Sequence, residues 1–126
     1  MGILSPLYRL VVLLALSAPF ASASAEAPGQ VPAAAAGGAR VGMPYSEVRR
    51  RLLAAGYQPV VRPKDEFCGY ADECKLPETE ACAGAGTGQC SYRFRKGRTA
   101  IQVSGINGRE GQSLSQTVNA ITYGGY

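Results

Sequence analysis

The chain has 126 residues, a formal net charge of +4 and four cysteines, with no histidine and no tryptophan. That length supports one domain, and the missing histidine excludes Ser–His and Cys–His nucleophilic centres as well as histidine-ligated metal sites. With three phenylalanines in all, the apolar core is small and needs a supplement.

In chain order, Arg9 is the sole charge before Glu26, and the apolar run Leu10 to Leu16 follows it. Pro19 breaks the run, and the small residues Ala21-Ser22-Ala23-Ser24-Ala25 come next. A positive start, a short apolar centre and a small-residue exit predict a secretory signal peptide over residues 1–25. Cleavage is expected after Ala25, with Ala23 equally compatible with the pattern. The run is too short for a membrane anchor, which needs roughly 20 apolar residues, so no stable membrane span is expected after cleavage. Residues 26–40 are rich in Ala, Gly and Pro and read as a flexible linker; within them Gly37-Gly38 would end any helical turn of the four-alanine run.

The domain is expected over residues 41–126. Tyr45, Val48, Leu52 and Ala55 recur at three- and four-residue steps and predict an amphipathic helix. Pro44 fits its first turn and Gly56 its C-terminal cap. Tyr57 to Arg62 is a short β-prone run that Pro59 confines to an edge or a strand start. In Cys90 to Arg95, alternation places Cys90, Tyr92 and Phe94 inward and the arginines outward. Lys96-Gly97-Arg98 is a tight connection into a strand over 99–106. A last strand spans 117–123, with its facing ambiguous because Val118/Ala120 and Ile121/Tyr123 fall on opposite sides. The fold class is therefore α+β: one helix on a three- to four-stranded antiparallel meander, with a disulfide-braced loop.

Cys68, Cys74, Cys82 and Cys90 lie with gaps of five, seven and seven residues. An even count in a short exported chain predicts disulfides, whereas zinc sites pair cysteines two to four residues apart. Of the three pairings, Cys68–Cys74 with Cys82–Cys90 is favoured, because each loop closes without ordering the other.

Two stretches resemble known families. Val41-Gly42-Met43-Pro44 with Glu47-Val48 and Gly56 resembles the opening of β-lactamase-inhibitor-protein-like and small-protein-A modules, in which a Gly-Met pair precedes an amphipathic helix. Pro44 stands where those families commonly carry a capping Ser or Thr. Leu76 to Cys90, with Tyr92-Arg93-Phe94 and Ala55 to Pro59, resembles a group of small uncharacterised periplasmic proteins. The likeness covers residues 41–106; it implies export and helix-then-sheet order, and no activity.

The carboxylates Asp65, Glu66, Asp72, Glu73, Glu78 and Glu80 read as solvated charge, with weak calcium binding as the lesser alternative. Gly84 to Gly88 lacks the following helix of a phosphate loop and reads as a turn between Cys82 and Cys90. Arg49, Arg50, Arg51, Arg93, Arg95, Lys96 and Arg98 are the candidate anion-binding residues; their alternative is balance against the acidic cysteine segment. No catalytic residue, metal or cofactor is expected, and export argues against nucleic acid. The sequence thus predicts a periplasmic or secreted, non-enzymatic module that binds another cell-envelope protein, the alternative being an electrostatic binder of lipid headgroups or cell-wall polymers.

Overall fold

In a computed structural model, residues 29–61, 72–83, 86–108 and 114–124 are described; the expected signal peptide and residues 26–28 lie outside them. Among the described residues one α-helix, α1 (Tyr45–Ala54), precedes five antiparallel strands: β1 (Gln58–Pro59), β2 (Thr79–Cys82), β3 (Cys90–Lys96), β4 (Thr99–Ile106) and β5 (Thr117–Tyr123). The order across the sheet is β1-β3-β4-β5, and β2 shares the outer edge of β3 with β1. The α+β class is as expected. The sheet has five strands rather than three or four because two short segments pair in tandem along β3: β1 with Phe94 and Arg95, β2 with Cys90 to Tyr92.

Helix α1 forms where the apolar spacing requires. Tyr45, Val48 and Leu52 are fully buried, one face of a 3.6-residue repeat. Pro44 occupies the N-cap rather than the first turn and offers no side-chain cap. Carbonyls from the chain before β5 cap the helix instead: Tyr45 N–H donates to Gln116 O at 2.7 Å and Ser46 N–H to Leu114 O at 3.3 Å. At the other end Gly56, with φ of 93°, closes a Schellman motif. Its N–H reaches Leu53 O at 3.1 Å, and Tyr57 N–H reaches Leu52 O at 3.0 Å. Lys96 adds its ammonium to Ala55 O at 2.7 Å, a cation at the negative end of the helix.

The core lies between α1 and the inner face of the sheet, where Tyr92, Phe94, Ile101, Val103, Val118 and Ile121 are buried. Val118 and Ile121 are three residues apart, a spacing that simple alternation would split between faces. A bulge resolves this: Ser104 pairs with Ala120 but Gly105 with Val118, so β5 carries one extra residue. The extra residue shifts the phase and turns both side chains inward.

Residues 29–40 are not a linker. Val31, Ala36 and Ala39 are buried in the core, and Ala33–Ala36 forms a 3-10 turn that ends at Gly37 in the left-handed region. Val31 N–H donates to Ile121 O at 2.9 Å and Tyr123 N–H to Gly29 O at 2.8 Å; further on, Gly42 N–H donates to Val118 O at 2.7 Å and Val118 N–H to Met43 O at 2.9 Å. Residues 29–44 therefore act as a strap that covers the edge of β5, and the packed domain takes in the chain from Gly29 rather than from Val41. The composition that reads as flexible is a packing requirement. A Cβ on Gly37 would stand 2.6 Å from Arg51 O and 2.8 Å from the Ala55 Cβ, so only glycine lets the strap lie against the last turn of α1. Gly37→Ala is accordingly expected to lower unfolding stability by about 1–3 kcal/mol through overpacking and strain at positive φ, read as a lower urea midpoint.

Candidate functional site

Two regions carry chemistry: a polar chain through the core, and a surface made by the strap and one hairpin. The polar chain begins with Glu78, immediately before β2. Its side chain is 0% exposed. Oε1 accepts from the Tyr45 hydroxyl at 2.8 Å and from Arg49 Nε, while Oε2 is buried without a hydrogen-bond partner. Tyr45 and Arg49 are four residues apart on α1, so both reach the same point. The Tyr45 ring stacks on Tyr92 of β3, with centroids 3.7 Å apart and planes 14° from parallel. The Tyr92 hydroxyl donates to Gln116 Oε1, and Gln116 Nε2 donates to Gly88 O at 2.8 Å.

Glu78 and Gln116 are placed by backbone constraints. Glu78 O accepts from Arg93 N–H at 2.9 Å, which pins its carboxylate below α1. Gly105 makes room for Gln116: a Cβ there would lie 2.6 Å from Gln116 Oε1. The glycine-bearing turn is also tied to the sheet. Asn107 N–H donates to Thr87 O at 2.8 Å, Gln89 Nε2 donates to Ser104 Oγ at 2.7 Å, and Gly86 and Gly88 take positive φ. Gly84 and Ala85 lie outside the described residues.

Cys82 and Cys90 form a disulfide between paired positions at the ends of β2 and β3, one half of the favoured pairing. Cys74 is buried and disulfide-bonded as well; Cys68, its partner in that pairing, lies outside the described residues.

The seven candidate anion-binding residues divide. Arg49 is held by Glu78 and Arg93 by Glu80, while Arg50 and Arg51 both pair with Glu47 at 2.6 and 2.9 Å. Lys96 caps α1. Arg95 and Arg98 are exposed. The expectation that Arg93 points into solvent is corrected: alternation places it on the outer face, but that face is covered there and Arg93 is 6% exposed. Gly124 permits this, since a Cβ would stand 2.9 Å from Arg93 Nη1. Of the six acidic residues read as solvated, Glu78 and Glu80 are instead paired with arginines. Asp65, Glu66 and the side chains of Asp72 and Glu73 lie outside the description. Among the described residues no cluster of potential ligands gathers around a common point.

The surface region is a groove of about 210 Å³ where the strap crosses β5, with Val31, Ala33, Ala39, Val41 and Ile121 as its apolar lining and Gln30 and Arg40 as its polar groups. The sequence reading missed it because it fell in the expected linker. It also missed Glu78. The signal available for Glu78 was a hydroxyl and a guanidinium, Tyr45 and Arg49, one turn apart beside the apolar stripe.

No protein-family model, no curated protein and no solved structure matches the chain. Among the described residues no helix is long and apolar enough to cross a membrane.

Two outcomes follow from the polar chain. Arg49→Ala leaves a buried carboxylate without its cation and is expected to cost about 3 kcal/mol of stability, the low end for a buried pair because Arg49 is partly exposed, whereas Arg50→Ala leaves the denaturation curve nearly unchanged. Adding Glu78→Gln to Arg49→Ala should recover part of the loss, as a double-mutant cycle in urea would read. The second outcome concerns alkaline pH. Burial, then the charge of Glu78 and the hydrogen bond to it, push the Tyr45 hydroxyl far above the ordinary tyrosine value of 10.0. Below that value both states hold the proton and the stabilisation is complete. Above it the unfolded chain releases the proton and the folded chain keeps it, so stability falls as pH rises. Tyr45→Phe should flatten that slope in denaturation curves taken across the tyrosine range, and in the folded protein one tyrosine should escape the tyrosinate absorbance change.

Proposed function

We propose that the protein is an exported, non-enzymatic module of the periplasm or extracellular space that binds another cell-envelope protein. One observation carries this reading over the electrostatic alternative: four of the seven candidate anion-binding residues, Arg49, Arg50, Arg51 and Arg93, are engaged by the chain's own carboxylates. A surface meant for polyanions keeps its cations available to the ligand. Here Arg49 and Arg93 brace Glu78 and Glu80 within the fold, Arg50 and Arg51 are tied to Glu47, and half-exposed Val41 stands beside an apolar groove. The Cys82–Cys90 disulfide supports an oxidising compartment. The absence of histidine from the sequence and the structural use of its buried polar groups support a binding role rather than catalysis.

The test is affinity capture of envelope proteins on the immobilised oxidised protein. A specific partner should stay bound through high salt, because apolar contacts are not screened, and the double variant Arg95→Glu, Arg98→Glu should capture it equally well. Retention of anionic lipid or polymer that is lost in moderate salt and in that variant would instead establish the electrostatic reading.

A further inference from the structure

We propose that the groove between the strap and β5 receives one apolar side chain of the partner protein, flanked by a carboxylate that pairs with Arg40. The inference rests on the protein-binding reading above and names its site. The groove measures about 210 Å³, below the roughly 300–1,000 Å³ of pockets that enclose small molecules. Its size suits a single anchoring side chain, and a few such anchors carry most of the energy of an interface.

The lining supports an apolar anchor. Val31, Ala39 and Ile121 form a floor that is already buried, and Val41 stands 46% exposed at its side, one of three large apolar residues exposed among the described residues. The groove is also preformed. The strap is hydrogen-bonded to β5 on both sides of it, through Val31 to Ile121 and Gly42 to Val118, so little ordering remains to oppose binding.

Charge complementarity identifies the neighbour of the anchor. Arg40 lines the groove and is exposed. Arg49, Arg50, Arg51 and Arg93 each have a carboxylate partner, but among the described residues no carboxylate pairs with Arg40. A guanidinium presents a planar fork that matches a carboxylate, and arginine is enriched at interfaces. An acidic residue beside an apolar one satisfies both features at once.

The test uses the full chain produced in cells, with a photo-crosslinking phenylalanine analogue at Val41 and, separately, at Val61, which is 73% exposed and outside the groove. The expected result is a protein adduct at position 41 whose crosslinked segment carries Asp or Glu next to an apolar residue. The adduct should fall about fivefold with Arg40→Glu, the effect of losing one exposed ion pair. It should fall likewise with Ala33→Phe, which fills the groove, and be unchanged by Arg95→Glu. Thermal melting of each purified variant identifies any that fails to fold, in which case Arg40→Gln takes its place. An adduct indifferent to Arg40, or one formed with a second copy of the chain, with lipid or with polymer, overturns the proposal. A protein adduct at Val61 alone overturns the groove and leaves the protein-binding reading standing; adducts at neither position overturn both.

Discussion

Burying the Glu78 carboxylate is the constraint on which the remaining structure depends. A carboxylate taken out of water costs several kcal/mol unless a cation and hydrogen bonds replace the solvent. Glu78 can be fully buried only with Arg49 and Tyr45 in position, and both sit on α1. One side chain therefore fixes the rotation of the helix over the sheet and the placement of the segment leading into β2. Glu80, the extra residue of the β2 bulge, makes the corresponding tie to Arg93 on the other face. A slip of one residue in β2 would exchange the two faces and leave both acids without their arginines. The disulfide at the far end of β2 fixes the same register that the two ion pairs require.

The same economy of short pieces closes the sheet. A bare edge offers unpaired N–H and C=O groups to any other strand. Here β1 and β2 divide one edge of β3 between them, and the strap covers β5 from Gly29 to Val31 and again at Gly42 and Met43. None of these covering segments is a long strand, and β1 carries Pro59, which has no ladder N–H. Covering β5 closes that edge to strand addition, so on the proposed protein-binding reading the recognition there falls to side chains. The strap that closes the edge also supplies most of the groove lining.

What the sequence disclosed was whatever depends on short-range periodicity. The stripe of α1, the Gly56 cap, the edge placement of Pro59 and the inward facing of Tyr92 and Phe94 follow from spacing alone. The strap was illegible because Ala and Gly look flexible until the surface they pack against is known; Gly37 is selected by Arg51 O, fourteen residues later in the chain. Arg93 was placed on the correct face, but alternation says nothing about what covers that face. The conflict within β5 was itself the trace of a bulge, since no regular strand turns both Val118 and Ile121 inward. Glu78 was hidden among the acids around it in sequence, and even its near neighbour Glu80 pairs with a different arginine.

The run Arg49-Arg50-Arg51 shows why a cluster in sequence need not be a cluster in space. Successive residues on an α-helix project roughly 100° apart, so the three guanidiniums diverge. Arg49 turns under the helix to Glu78, Arg50 stays largely in solvent, and Arg51 lies beside Gly38 of the strap. Glu47, three and four residues earlier, serves the latter two through the spacing that brings helical side chains together. Among the described residues the basic groups are thereby divided between internal pairing and exposed sites such as Arg40, Arg95 and Arg98. An isolated cation beside an apolar groove contributes orientation and selectivity more than affinity. On the proposed reading Arg40 is suited to that role, selecting among apolar segments over the buried floor of Val31, Ala39 and Ile121.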